Sequence, residues 1–351
     1  MWIKFLLAII ISAAISAFFT PQVRRFFVHH HWVEDPKEKD LKTKNATATA
    51  PVPRGGGLPI FLGIFISTII LLPPDKHLLG ILLAAFLSLV VGLWDDIKDI
   101  SPKLRLVFNI VSALIVVASG IGIAFVSNPF GGVINLSIWQ FSFNFLGDHS
   151  IWVISDLLAL VWIIWCMNIV GWASGIEGQL PGFTAISAFF IGILALKYST
   201  DITQWPVIIL AGAVSGAYLG FLPFNFYPQS IMPGYSGKSL AGFFLAVLAI
   251  LSGAKLATVI LLLGVPMLDA VFTIFRRIKE KKPVYLGDGR HFHHNLLKLG
   301  WSRRSISLFY WSFSLVLGIA SLALNSQQKF YVFTGLTLIL FSLFIGISRR
   351  T

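Results

Sequence analysis

Three carboxylates stand within five residues at Asp95-Asp96-Ile97-Lys98-Asp99, in a chain whose Asp, Glu, Lys and Arg together make only 12% of its residues. If the local helix continues one more turn, Asp95 and Asp99 are four apart and Asp96 and Asp99 three apart, so all three converge on one face. Carboxylates this close repel unless a cation sits among them. Hard oxygen donors suit Mg²⁺, with Mn²⁺ the other candidate, and Mg²⁺ usually takes one or two carboxylates plus substrate phosphates. The same residues also read as a solvated acidic helix end neutralised by Lys98, Lys103 and Arg105.

Complementary charge lies in four further polar segments. Pro53-Arg54-Gly55-Gly56-Gly57 lets backbone amides approach an anion closely, with Arg54 beside them, although a glycine triplet is also an ordinary flexible turn. Gly287-Asp288-Gly289-Arg290-His291-Phe292-His293-His294 gathers three imidazoles, an arginine and an aspartate. Zinc is one reading, but no cysteine is near, and structural zinc wants a closed set of four ligands. Arg290, His291, His293 and His294 fit better as donors to phosphate oxygens. The segment from Asn168 to Gln179 contains Glu177 as its sole acid, either a lone surface charge or another carboxylate for the metal, and the segment from Asn225 to Lys238 ends on a cation. Asp269 reads as a charge partner near the end of a hydrophobic run, and Asp156 as structural.

The elements that must carry these segments are membrane helices. Among 351 residues, 56% are hydrophobic and 31 are Phe, which excludes a disordered chain and leaves too little polar surface for an ordinary soluble enzyme. The formal charge of +12 forms no soluble basic face of the kind that binds nucleic acid; it is strung between apolar runs. About 20 apolar residues span a bilayer core as helix, and eleven candidate runs are legible: 2–20, 57–73, 78–94, 104–126, 151–170, 183–199, 204–223, 239–253, 256–275, 305–324 and 330–347. With the N-terminus outside, only Lys4, Lys76, Lys197, Lys255 and Lys329 fall outside, so 22 of the 27 Lys and Arg lie inside, as the positive-inside bias requires. The expectation is an all-α polytopic membrane protein, N-terminus out and C-terminus cytoplasmic. It forms one transmembrane domain over residues 1–351, with inside loops 21–56, 95–103, 171–182, 224–238 and 276–304 carrying the chemistry. The segment 127–150 reads as an external hairpin or amphipathic cover.

In order and sidedness these inside segments resemble the polyprenyl-phosphate N-acetylhexosamine-1-phosphate transferase family. Pro53-Arg54-x-Gly56-Gly57 looks like its first inside motif, and Asp95-Asp96-x-x-Asp99 followed by Lys103-x-Arg105 like its aspartate-rich motif. Asn225-Phe226-x-Pro228 matches the start of a later motif, and Asp288-x-x-His291-x-His293-His294 its histidine motif. The text through Gly300-Trp301-Ser302-Arg303-Arg304 looks more like the branch that uses UDP-N-acetylglucosamine. The chain departs from the family at two places. Asn-x-x-Asn-x-x-Asp-Gly-x-Asp-Gly is replaced by Asn168, Gly171, Ser174, Gly175, Glu177 and Gly178, and an aspartate used near the metal is replaced by Tyr235.

What the resemblance implies is a multi-pass enzyme of the cell (cytoplasmic or inner) membrane, acting at a cytoplasmic face, with homodimerisation in the family's manner as a further expectation. It would transfer a sugar-1-phosphate from a UDP-N-acetylhexosamine to polyprenyl phosphate, releasing UMP. Asp95, Asp96, Asp99 and Glu177 are the expected catalytic carboxylates, with Mg²⁺ on Asp95, Asp96 and Glu177. Arg54, Lys103, Arg105, Asn168, Asn225, Lys238, Asp288, Arg290, His291, His293 and His294 are the expected substrate contacts. A relative that binds lipid phosphate or nucleotide sugar without turnover is the alternative that Ser174 and Tyr235 raise. A transporter or flippase is the third, but its acids belong near mid-span.

Overall fold

The structure, a computed structural model, describes residues 1–36, 51–144, 148–252, 256–283 and 290–348. It is mostly helical, with three two-stranded antiparallel hairpins. The helices are α1 (Trp2–His29), α2 (Gly57–Leu71), α3 (Lys76–Lys98), α4 (Pro102–Ala118), α5 (Val153–Trp172), α6 (Gln179–Leu196), α7 (Trp205–Asn225), α8 (Gly234–Leu251), α9 (Leu256–Leu262), α10 (Gly264–Lys279), α11 (Phe292–Lys298), α12 (Arg303–Ala323) and α13 (Ser326–Ser348). Among the described residues seven helices are long and apolar enough to cross a membrane, and α9 with α10 would be an eighth if that bent pair is one span. The chain is therefore a multi-pass membrane protein.

Each apolar run of the sequence contains helix, but eleven full spans are not what the described residues show: α2 has only 15 residues, α4 and α13 are not among the seven, and two runs also depart in shape. The run 104–126 stops being helical at Ala118 and ends in the strand β3 (Phe125–Ser127), which pairs with β4 (Val133–Asn135); β5 (Gln140–Asn144) and β6 (Asp148–Trp152) form the next hairpin. The run 256–275, read as one span, bends by 82° between α9 and α10. Pro266 is the physical reason: it has no N–H for the Leu262 carbonyl four residues back, so the helix cannot continue. That carbonyl is satisfied across the bundle by the Ser314 hydroxyl at 3.1 Å.

The central packing is α1 against α7. Gly212, Gly216 and Gly220, spaced every four residues on α7, lie directly against the α1 backbone at Phe5, Ile9 and Ala13, where any Cβ would collide. Small residues at this period let membrane helices approach closely where no hydrophobic effect drives them together. Ser12 Oγ donates to Ala213 O at 2.6 Å across the same seam. Helices α6, α7 and α8 are the most buried spans, so the segments attached to their ends are held by the rigid centre of the molecule.

Candidate active site

Two polar clusters meet at the first turn of α8. The first begins at the end of α3. Asp95 is fully buried and Asp96 nearly so. The helix stops at Lys98 and Asp99 caps it in a left-handed conformation (φ 50°), its N–H on Asp95 O at 2.7 Å. The extra turn forms as far as Lys98, but the left-handed Asp99 leaves the helix, so Asp95 and Asp99 meet at Arg105 while Asp96 turns to α8.

Each aspartate has its own donors. Asp95 Oδ1 accepts from Arg105 Nε at 2.6 Å and from the Ile100 N–H at 3.1 Å, and Oδ2 accepts from Arg54 Nη2 at 3.2 Å. Asp96 faces α8: Oδ1 accepts from the Tyr235 N–H at 2.5 Å, and Oδ2 from the Ser236 hydroxyl at 2.5 Å and its N–H at 3.3 Å. A carboxylate at a helix N-terminus satisfies orphan N–H groups and meets the positive end of the dipole. The exposed Asp99 carboxylate shares Arg105, at 2.6 Å from Nη2. Tyr235, at the position where the resemblance leads us to expect an aspartate, lays its ring under Arg105 at 5.1 Å and donates its hydroxyl to Asn109 Oδ1 at 3.2 Å.

Arg54 is placed by the strand pair β1 (Val33–Glu34) and β2 (Val52–Pro53), which sets Glu34 opposite Val52. Its guanidinium lies 3.5 Å from Glu34 and 3.5 Å from Asp96 as well as on Asp95. Burial alone would lower this group, but Asp96, Glu34 and Asp95 outweigh it and hold it above its ordinary value. The glycines beside it are not an open anion cradle. Gly55 lies against Phe27, Gly56 against Met232 O and Phe221, and Gly57 against Ser236; they let the loop before α8 and the helix start press onto the start of α2.

The second cluster surrounds the histidines. Asp269 on α10 is buried and accepts from His291 Nδ1 at 3.0 Å with one oxygen and from the Phe292 N–H at 2.9 Å with the other. The His291 ring lies 5.9 Å from Trp172 and is stacked, 9° from parallel, 5.9 Å from His293. Gly175 is where His293 packs, and a Cβ there would run into the imidazole. Both nitrogens of His293 are buried, and among the described residues neither has a hydrogen-bond partner. Its burial, followed by the nearby charges of His294, His291 and Lys238, pushes its pKa well below the usual histidine range. Lys238, three residues after Tyr235, is thus carried by α8 to the histidines while Tyr235 and Ser236 reach the aspartates.

The other expected residues stand as follows. Glu177 is buried and held by Arg303 Nη1, 3.0 Å from each carboxylate oxygen. Asn225 ties loops together, accepting from the Gly178 N–H at 2.9 Å and donating to Ile231 O at 3.0 Å. Asn168 donates within its own helix to Ile164 O at 2.7 Å. Lys103 is exposed. Arg290 pairs with Glu280 through two bonds of 2.8 and 2.7 Å. Asp288 lies outside the described residues. Asp156 has the structural role its position suggests, accepting from the Trp152 N–H at 3.0 Å at the start of α5. Asp269 is the charge partner the sequence suggested, its partner being His291; sequence reasoning missed Arg303 as the partner of Glu177. The signal for Asp269 was a lone acid in an apolar helix, which requires a partner.

Among the described residues no three Asp, Glu, His or Cys side chains come together as a metal site, so Asp95, Asp96 and Glu177 do not form one cage here. Asp96 is sealed by α8 and Glu177 by Arg303. The chemistry that does suit a divalent cation is the Asp95–Asp99 pair, two carboxylates already bridged by one positive group, Arg105.

Comparison with known proteins agrees with this arrangement in extent. The family described as glycosyl transferase family 4 matches residues 78–253. A probable undecaprenyl-phosphate N-acetylglucosaminyl 1-phosphate transferase of Bacillus subtilis is 28% identical over 92% of this chain and 86% of its own length. A decaprenyl-phosphate N-acetylglucosaminephosphotransferase of Mycobacterium tuberculosis is 28% identical over 88% of the chain and 80% of its own length. A phospho-N-acetylmuramoyl-pentapeptide-transferase of Moorella thermoacetica is 27% identical over 79% and 85% respectively.

Proposed function

We propose, from the premise that this chain belongs to glycosyl transferase family 4, that it transfers a sugar-1-phosphate from a UDP-sugar to polyprenyl phosphate. An oxygen of the lipid phosphate attacks the sugar-bound phosphorus of the UDP-sugar. The bond from that phosphorus to the UMP oxygen breaks, and UMP leaves with the electron pair. A phosphate monoester has its second pKa near 6, so the nucleophile is substantially ionised at neutral pH and no residue need deprotonate it. The chain supplies alignment and positive charge, which dominate phosphoryl transfer.

The observation that carries this reading is the division of α8's first turn, with Ser236 on Asp96 and Lys238 beside His293. One short rigid element thereby couples the aspartate cluster to a cationic, histidine-lined cluster. His291, His293 and Lys238 are the groups to meet diphosphate oxygens, and the buried nitrogens of His293, without a partner among the described residues, are polar atoms that a ligand would satisfy.

The finer reading includes Mg²⁺, held by Asp95 and Asp99 with substrate phosphates completing its shell; when bound it would neutralise charge on the diphosphate. It also includes an N-acetylhexosamine as the sugar. The remaining parts are eleven crossings with the N-terminus out and the C-terminus in, one transfer domain in the inner membrane, and homodimerisation. The hairpins at 125–152 are then external. Sidedness is tested by a C-terminal reporter active only outside the cytoplasm, which should stay silent.

The activity test uses membranes carrying the full chain, Mg²⁺, polyprenyl phosphate and labelled UDP-N-acetylglucosamine. Lipid-linked sugar phosphate and UMP should appear in equal amounts. Their absence with every UDP-sugar would leave a binding protein in place of a transferase.

A further inference from the structure

We infer that Asp269 is a positioning residue that keeps a proton on His291 Nδ1 and so presents Nε2 as the ring atom offered to the substrate diphosphate. The proposal deepens the transferase reading and rests on it for the identity of the ligand. The tautomer itself follows from the geometry.

Asp269 is 2% exposed, and both of its oxygens are used. Oδ1 takes the Phe292 N–H, the first of α11, and Oδ2 takes His291 Nδ1 at 3.0 Å. One carboxylate therefore fixes the start of the helix that carries the histidines and the rotation of the first imidazole. A carboxylate only accepts, so the nitrogen facing it must carry hydrogen. The second ring nitrogen then has a defined role: an acceptor in the neutral ring, a charged donor in the imidazolium. Thr273 Oγ1, 3.4 Å from Nδ1 on the same side, is compatible with this, since its hydroxyl can rotate.

The surroundings decide which form suits a phosphate. From α10 come Asp269 and Arg277, the latter 5.4 Å over Trp172, the aromatic neighbour of His291 on α5. From α11 come His293 and His294, and Lys238 of α8 acts on His293. Arg276 donates to the carbonyl of Arg290, immediately before His291. Asp269 is thus, among the described residues, the carboxylate in contact with His291, with the cations Arg276, Arg277 and Lys238 around the cluster. With hydrogen held on Nδ1 by Asp269, Nε2 is the ring atom left to take up a proton and donate it to a phosphate oxygen.

Asp269→Asn keeps an oxygen for the Phe292 N–H but removes the charge. In the full chain in nanodiscs, kcat/KM for UDP-N-acetylglucosamine should stay near the wild-type value at pH 6 and fall at least tenfold at pH 8. Asp269→Glu should restore the wild-type profile. A purely structural role would lower the rate equally at all pH values, and an unchanged Asn profile would overturn the proposal outright.

A second measurement needs neither turnover nor a folded variant. Nitrogen-15 spectra of histidine-labelled wild-type protein report which ring nitrogen is protonated. His291 should show a protonated Nδ1 from pH 6 to 8; a bare Nδ1 with hydrogen on Nε2 overturns the assignment. Should the wild type make no lipid product, the transferase reading fails while the spectra still decide the role of Asp269.

Discussion

Arg105 donates to Asp95 at 2.6 Å and, through a second nitrogen of the same guanidinium, to Asp99 at 2.6 Å. One side chain thus supplies the positive charge that two carboxylates, one of them fully buried, need in order to lie side by side. A bridge of this kind occupies the place a divalent cation would take. Because the Arg105 side chain is 26% exposed, it has water to retreat into, whereas Arg54 is more enclosed.

Arg105→Ala should therefore destabilise the protein by roughly 1–3 kcal/mol, the cost of leaving a buried acceptor short of a partner. It should also make stability more dependent on Mg²⁺, because ligand binding to the folded state alone raises the melting temperature. The measurement is thermal unfolding of both proteins with and without Mg²⁺. A larger Mg²⁺ increment in the variant supports the cation at Asp95 and Asp99; no increment in either protein removes it from these residues.

Gly92, one turn before Asp96 on α3, faces the Ser236 backbone so closely that an added Cβ would overlap the Ser236 Cα. Gly92→Ala is expected to push α8 away and to cost more than the 1–3 kcal/mol typical of overpacking, because backbone cannot rotate aside. Ser236→Ala should cost about 1–3 kcal/mol through the lost hydroxyl bond to Asp96. Combining it with Gly92→Ala should rescue nothing. Melting temperatures of the three variants check this, and rescue in the double variant would show that the clash is with the hydroxyl.

Much of the scaffold was legible because membrane insertion writes itself into composition: apolar runs became helices, and Asp95, Asp96 and the histidines fell in polar segments at helix ends. What the sequence could not show was partner choice. Whether Asp96 faces a cation or the start of α8 depends on how closely two helices approach, which Gly57 and Gly92 decide only in three dimensions. Glu177 and Arg303 are 126 residues apart, and nothing in the spacing pairs them. Asp99 missed its expected face because the helix ended one residue early, and boundaries are the least certain part of any sequence reading.

His293 gives a pH prediction whose sign is fixed by burial. Its folded-state pKa lies below the usual 6.5, so below pH 6.5 the unfolded chain binds a proton that the folded chain does not. Stability is therefore complete above that pH and declines as pH falls, by at most about 1.4 kcal/mol per pH unit for one proton. Melting temperatures between pH 7.5 and 5 should fall in the wild type and fall less in His293→Gln. Equal slopes in the two proteins would assign the acid sensitivity to other groups.

The bend between α9 and α10 offers a test of backbone accounting inside the membrane. Pro266 deprives the Leu262 carbonyl of its helical donor, and Ser314 from α12 supplies a replacement at 3.1 Å. In hydrocarbon an unsatisfied carbonyl has no water to turn to, while measured interhelical side-chain bonds in a membrane average only about 0.6 kcal/mol and reach about 1.7. Ser314→Ala should fall within that range. Pro266→Ala restores a potential donor within the chain, so in the Pro266→Ala background the serine should matter less, and the double variant should be more stable than the two separate losses imply. A fully additive cycle in melting free energy would mean that the serine bond does not compensate for the proline, and that the 82° bend is imposed by packing from α12 and α13 instead.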